Sequence, residues 1–540
     1  MADELDPSMI EKYLTNSNDA FYINLTRNGK DIFPESFNPS FTYPIFGNDE
    51  AIIGYENPQI DLKFRAYDLK PSVKFTYDSK FKAIGETEAM DVEGMLKEFL
   101  PESAFEAPAQ NGASSTNKSW SPSGELVKEY HRDGKRFQIW CSTLLDEAAR
   151  DILRNMRILV PLLIEGGTPC HYLDDPDWSL SRWKLFLLYE VRVAKDKVST
   201  DYTLAGFSTS YRLWVFPDRT VRTAMGERVP SPPPESELDF EENPDEDEAP
   251  GPRQTTPPPE DAKLNLELDG ENTTCTSLGA PSRERISQFI ILPPYQGASH
   301  GSALYDTMID MFRADKWVYE ITVEDPNEEF DALRDYQDLA YLQTMPEFAL
   351  LTMKADVPSE LLAPDADVPI DYLVDQDLLD KLQHKSKISP RQFARLVEIQ
   401  LLSSIPPGNR STNRLIRREK SSMKEDRMFW FWRLYVKHRI YIKNADQLIQ
   451  LDLEERGPKV AEAVEGQLQE YLERLEVFER RKKRVVRDAP ANGGASASRS
   501  PEARRKGKGK RVIEDDEDED EDEDMGMAVE VTGKKKRKIA

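Results

Sequence analysis

The stretch FIILPPYQGASHGSALYD, residues 289–306, constrains the chain more than any other. Phe289-Ile290-Ile291-Leu292 is an aliphatic run that reads as a buried strand, and Ser302 to Phe312 reads as an amphipathic helix. Between them lie Pro293, Pro294, Gln296, Gly297, His300 and Gly301. The N–H groups at a helix N-terminus have no intrahelical acceptor and carry partial positive charge, so anions dock there. Glycine lets a ligand approach the backbone closely. A short glycine-containing loop in this context suits a pyrophosphate. It is equally compatible with an ordinary tight strand-to-helix turn, because short glycine patterns are weak evidence.

The surrounding pattern alternates strands and helices. IDLKFRAYDL sets Ile60, Leu62, Phe64 and Ala66 at period two, and SVKFTY repeats this with Val73, Phe75 and Tyr77. DVEGMLKEFLP gathers Val92, Met95, Leu96, Phe99 and Leu100 on one helical face, with Asp91 as N-cap. A helical pattern runs from Leu145 to about Ile164, interrupted by Pro161. RWKLFLLYEV, TLAGFSTSYRLWVF and WVYEITVED read as strands, and NEEFDALRDYQDLAYL as a helix. From about 357 to 483 only 3.6-residue periodicity remains. The aromatic and basic run RLIRREKSSMKEDRMFWFWRLYVKHRIYIK reads as a helix packed on its neighbours; contact with nucleic acid or phosphate is the other reading.

The expected class is therefore α/β (α+β), with an N-terminal mixed α/β domain (1–125), a central α/β domain (126–345) and a C-terminal helical domain (346–485). Residues 226–282, rich in proline and acid, are expected to be a disordered insertion, and 486–540 a disordered tail.

The formal net charge of −26 argues against general nucleic-acid binding and suits a basic partner. Cys141, Cys170 and Cys275 lie far apart, which fits neither a disulfide framework nor a zinc site. No metal is expected. No apolar run is long enough to span a membrane, and the acidic N-terminus lacks a signal core.

RISQFIILPPYQGASHGSALY and ITVEDPNEEFDALRD resemble the catalytic core of the type B histone acetyltransferase catalytic subunits, a GNAT family, here of fungal type. SFTYPIFGNDEAIIGY, LLIEGG, DDPDW and RQFARLVEIQLL are similar to further segments of that family, in the same order. The resemblance covers roughly 20–225 and 283–480. It implies a GNAT core that takes acetyl-CoA as co-substrate. Backbone contacts to acetyl-CoA would come from Phe289, Ile290 and Ile291. Phosphate contacts would come from Gln296, Gly297, Ala298, Ser299, His300, Gly301 and Ser302, and a further contact from Asn327. Ser299 stands where the family has glycine, and Tyr336 stands where some relatives have a cofactor-contacting arginine, so that contact is not carried over.

Acetyl transfer to lysine needs a neutral amine, and a free lysine has a pKa of about 10.4, so a base must remove its proton. Glu324 and Asp325 end a strand; Asp325-Pro326-x-Glu328 reads as a helix start with Asp325 as N-cap. Glu324 is left with no local task. In the family, the residue matching Glu324 is the proposed general base, and those matching Glu165 and Asp325 assist it. No cysteine or serine sits in a recognisable nucleophile setting, which favours direct attack. The resemblance further implies histone contacts at Asn48, Asp49 and Glu50 and at Tyr211, Arg212 and Leu213. It implies a substrate that is free, newly made histone H4 (with H3), modified near its amino terminus, and a WD-repeat β-propeller partner. Sequence-specific nucleic-acid binding is not expected. RRKGKGKR (504–511) and KKKRK (534–538) read as nuclear import signals or as a solubilising tail, giving an expected location in nucleus and cytoplasm. The acidic run 514–524 would hold histones or shield those clusters. The rival reading is a non-catalytic acidic histone chaperone on a retained GNAT scaffold.

Overall fold

The computed structural model describes residues 12–81, 88–106, 120–193, 200–215, 281–363, 366–416 and 423–488. The expected insertion and tail, with the basic clusters and the acidic run, fall almost wholly outside the described residues.

Near the N-terminus, β1 (Phe21–Arg27), β2 (Lys30–Asp31), β3 (Gln59–Arg65) and β4 (Pro71–Thr76) form a sheet in the order β2-β1-β3-β4. Period-two alternation turns Ile60, Leu62 and Phe64 of β3 fully inward. Burial of each such side chain is worth about 1.5–3 kcal/mol. The short helix α1 (Val92–Lys97) begins where Asp91 accepts the Gly94 N–H at 3.0 Å, so the cap read from sequence is present.

Six strands make the central sheet: β5 (Glu125–Arg132), β6 (Lys135–Thr143), β7 (Trp183–Val193), β8 (Thr200–Trp214), β9 (Ser282–Ile291) and β10 (Val318–Val323). They lie in sequence order and pair antiparallel, except that β9 and β10 are parallel. The apolar run in β7 is explained by cover on both faces. Phe186 packs edge-on against Phe312 of α3 (His300–Ala314), with ring centroids 5.9 Å apart. Tyr189 instead reaches the N-terminal region, its hydroxyl donating to the Tyr67 carbonyl at 3.0 Å. One core consequently extends from Ala20 to Ile321 and joins the two sheets. The long helical pattern after Leu145 divides into α2 (Glu147–Met156) and a short helix Leu159–Leu163, with Pro161 inside the latter.

A second core, from Tyr336 to Phe478, belongs to the helices. These are α4 (Glu328–Leu342), α5 (Gln376–Ser386), α6 (Pro390–Ser403), α7 (Lys424–Lys443) and α8 (Leu453–Asp488). The aromatics of α7 do pack inward: Phe429 and Trp432 are fully buried, and the Trp432 indole donates to the Glu398 carbonyl at 2.9 Å. The Glu398 carboxylate is held by Arg439 at 2.6 Å and Tyr471 at 2.7 Å. Helix α4 spans both cores, with Phe330 and Leu333 on the first and Leu339 and Leu342 in the second.

Candidate active site

The central sheet splays at one point. Pairing of β9 with β10 ends at Ile286–Val323, closed by the Glu324 N–H donating to the Ile286 carbonyl at 2.9 Å. After Glu324 the chain turns away through Asp325, at φ 35°, and Pro326, which has no N–H to continue a ladder. β9 runs on to Ile291 with β8 on its other side, so from Ser287 to Ile291 one edge has no strand beside it among the described residues. That edge opens into a cleft of about 780 Å³.

Phe289, Ile290 and Ile291 line one wall of the cleft; Gln296, Gly297, Ser299, His300, Gly301 and Ser302 line another. Asn327 is also in the lining, and Ala298 alone among the predicted cofactor residues is not. Left-handed backbone at Gly297 (φ 74°) and Ser299 (φ 60°, ψ 21°) turns the chain into α3. Serine in that region carries a cost of about 1–2 kcal/mol that glycine avoids. Residues His300 to Ser302 are the first turn of α3, so their N–H groups have no intrahelical acceptor. A Cβ built on Gly301 would meet Leu333, Ile291 and Phe289 at ordinary contact distances of 3.6–3.8 Å, so a Cβ fits there without a clash. The Gln296 side chain folds back and donates to the Ile291 carbonyl at 2.9 Å, bracing the loop. His300 is buried, with Nδ1 2.8 Å from the Tyr130 hydroxyl; burial, then nearby Arg132, lowers its pKa and keeps it neutral. Unpaired N–H groups beside a glycine and an open strand edge together fit the diphosphate and pantetheine arm of an acyl-CoA.

Glu324 does not line the cleft. It is half-buried at the splay, held at both oxygens: Ser287 donates to Oε2 at 2.7 Å and Tyr211 to Oε1 at 3.4 Å. Ser287 is two residues from Phe289 on β9, so Glu324 adjoins the same open edge that enters the cleft. Burial and the Glu324 charge push the Tyr211 pKa up, so that hydroxyl keeps its proton and can donate. The Tyr211 ring lies 4.6 Å from Trp183, which stacks on Tyr172 at 3.6 Å. Glu165 is exposed and does line the cleft. Asp325 is exposed at the turn and is not the helix cap. That role belongs to Asn327, whose Oδ1 accepts the Phe330 N–H at 2.9 Å, because the left-handed turn at Asp325 delays the helix by two residues. Cys141 and Cys170 are buried, and burial pushes the Cys170 thiol pKa up, away from nucleophilic thiolate.

The expected histone contacts divide. Asn48 and Asp49 are exposed on the turn after Phe46. Glu50 faces its own loop and accepts from the Thr42 N–H at 2.7 Å, the Tyr43 N–H at 3.1 Å and Asn18 at 2.9 Å. Burial disfavours its charge, but these donors outweigh that and hold its pKa below the usual range. Tyr211 and Leu213 are half-buried. The Arg212 side chain corrects the expectation: it is 2% exposed and committed to Glu284 at 3.0 Å and Asp315 at 2.5 Å, so its guanidinium is out of a peptide's reach. Sequence reading missed Ser287, the Tyr172–Trp183–Tyr211 stack and Arg481, a cleft-lining residue from α8. Ser287 was within reach, since period two puts it on the face of Phe289; the others needed register or distant packing.

The splayed parallel pair, the loop at the head of α3 and the carboxylate at the splay fit an acetyltransferase with a GNAT-like α/β core. Residues 13–165 match the family described as the N-terminus of the histone acetyltransferase HAT1, and 361–405 match the fungal HAT1 C-terminal family. The histone acetyltransferase type B catalytic subunit of Aspergillus oryzae is 33% identical over 88% of this chain and 88% of its own length. Those of Gibberella zeae and Yarrowia lipolytica are 33% and 30% identical, over 87% and 86% of this chain and 92% and 91% of theirs. The chain belongs to the family of histone acetyltransferase type B catalytic subunits. It is therefore a histone acetyltransferase, and acetyl-CoA is the co-substrate its family implies.

Proposed function

We propose that this enzyme acetylates lysines near the amino terminus of free, newly synthesised histone H4 by direct attack of the lysine amine on the thioester, with Glu324 as general base. Bound acetyl-CoA supplies the activated carbonyl. The Glu324 carboxylate takes one proton from the ammonium; the neutral amine attacks the thioester carbonyl to form the C–N bond, the C–S bond breaks, and the leaving thiolate takes up the second proton that the nitrogen sheds. Negative charge building on the carbonyl oxygen meets a backbone N–H on the open edge of β9. The observation that carries this reading is Glu324 itself, held by Ser287 and Tyr211 where β9 and β10 separate. Glu165, in the cleft wall, and Asp325 lend negative charge that attracts a lysine and lengthens the residence of its ammonium. Asn48, Asp49 and Glu50, with Tyr211 and Leu213, are proposed to meet the peptide.

The net charge of −26 supports a basic protein partner such as H4 with H3. A WD-repeat β-propeller subunit as partner, and residence in both nucleus and cytoplasm, belong to the same proposal and rest on the family resemblance and the basic clusters near the C-terminus. Acetyl transfer to free H4, free H3 and nucleosomes, with modified lysines mapped by mass spectrometry, tests it. The expected result is modification concentrated on the tail of free H4; equal or greater modification of nucleosomes would overturn the substrate assignment.

A further inference from the structure

The cleft that fits acyl-CoA is short of positive charge on its outer wall. Glu165, Glu328 and Glu329 line it, and His300 is held neutral by burial. Arg481 is the one arginine or lysine in the lining among the described residues. It reaches the cleft from α8, an element distant in sequence from the loop at 296–302. Its guanidinium lies over the Tyr336 ring at 4.3 Å from the centroid. Its neighbours on α8 are engaged elsewhere: Arg480 pairs with Glu476 at 3.1 Å, and Lys482 donates to Gln343 at 3.3 Å. Glu328 has Arg474 at 4.0 Å. Arg481 is exposed and has no carboxylate within ion-pair distance among the described residues, so a cation oriented by the Tyr336 ring is left at the cleft.

CoA carries two separate anionic groups. The diphosphate suits the unpaired N–H groups at the head of α3. The ribose phosphate monoester, with about −1.5 to −2 charge at pH 7, needs a cationic partner of its own, and Glu328 and Glu329 in the lining cannot supply one. A guanidinium braced on an aromatic face and free of acidic partners is suited to bidentate contact with a phosphate.

We propose that Arg481 is the residue of this enzyme that recognises the ribose 3′-phosphate of CoA. This rests on the acyl-CoA reading of the cleft and goes beyond it by assigning cofactor discrimination to the helical region. Arg481 is a binding residue and takes no part in proton transfer.

Calorimetric titration of the full chain with CoA and with 3′-dephospho-CoA tests the assignment. The parent should bind CoA about tenfold more tightly than dephospho-CoA, the scale of one charge-assisted contact at an exposed site. Arg481→Ala should weaken CoA about tenfold and leave dephospho-CoA unchanged, so the variant no longer distinguishes them. Arg481→Lys should retain part of the preference, because it keeps the charge but loses the fork. Equal weakening of both ligands by Arg481→Ala, or no weakening of either, would overturn the proposal. A parent that binds both ligands without preference would also refute it while leaving the cleft assignment intact. A parent that binds neither ligand would overturn the acyl-CoA reading and this proposal with it.

Discussion

Replacing Arg212 by methionine keeps most of the side-chain volume and removes the charge. Arg212 contacts Glu284 at 3.0 Å and Asp315 at 2.5 Å, and Glu284, with no exposed side-chain surface, is also held by Lys184 at 2.7 Å and Ser210 at 2.8 Å. Removing one partner of a buried ion pair costs about 3–5 kcal/mol, because the remaining charge is left uncompensated. Lys184 stays with Glu284, so the lower end, about 3 kcal/mol, is expected. Unfolding entropy near 2.1 cal/mol/K per residue gives roughly 0.8 kcal/mol per degree over the described residues up to Lys483, hence a Tm lower by about 4 °C. Burial disfavours ionised Glu284, but Lys184 and Arg212 outweigh it and depress its pKa. A depressed carboxylate pKa stabilises above the unfolded value and loses that contribution as pH falls through the folded value, so the gap between parent and variant should narrow in acid. The assay pairs thermal melts with KM for an H4 tail peptide well below Tm. An unchanged Tm with KM raised tenfold or more would show that Arg212 is a surface peptide contact and refute the buried-network reasoning.

Gly301→Glu should leave the fold intact, since its Cβ has room and an acid suits the first turn of a helix, yet abolish CoA binding by setting carboxylate where phosphate docks. Calorimetric binding equal to the parent's would refute the loop assignment. Burial depresses the His300 pKa, so its stabilising contribution is present above the unfolded value of about 6.5 and lost as pH falls. The drop in Tm between pH 7 and 5 should be smaller for His300→Gln than for the parent; an equal drop would count against it.

Local chemistry made much of this architecture legible. Alternation in β3, the Asp91 cap and the strand-to-helix loop before α3 each depend on residues a few positions apart, and each appears in the fold. Asp325 misled because capping by Asp-Pro and by Asn327 differ by two residues, and only the backbone turn at φ 35° decides between them. Arg212 misled because its fate depends on Glu284, 72 residues away across an unpredictable strand register. Glu324 lacked a local signal for the same reason: the hydroxyls that hold it come from β8 and β9. Arg481 was hidden deepest, since nothing in α8 indicates that one of its arginines faces a cleft built by β9, α3 and α4.

Glu324 is proposed to remove the lysine proton. Its most direct test is the pH–rate profile of Glu324→Gln beside Glu165→Gln on an H4 tail peptide. Glutamine keeps the size of Glu324 and its capacity to accept from Ser287, but not its basicity. kcat and kcat/KM should fall together by about 10²–10⁴-fold, CoA affinity should hold, and the rate should partly recover as rising pH supplies free amine. Glu165→Gln should cost less, or as much only if the two acids titrate as a unit. Near-parent activity of Glu324→Gln at neutral pH, with Glu165→Gln inactive, would contradict the account and move the base to Glu165.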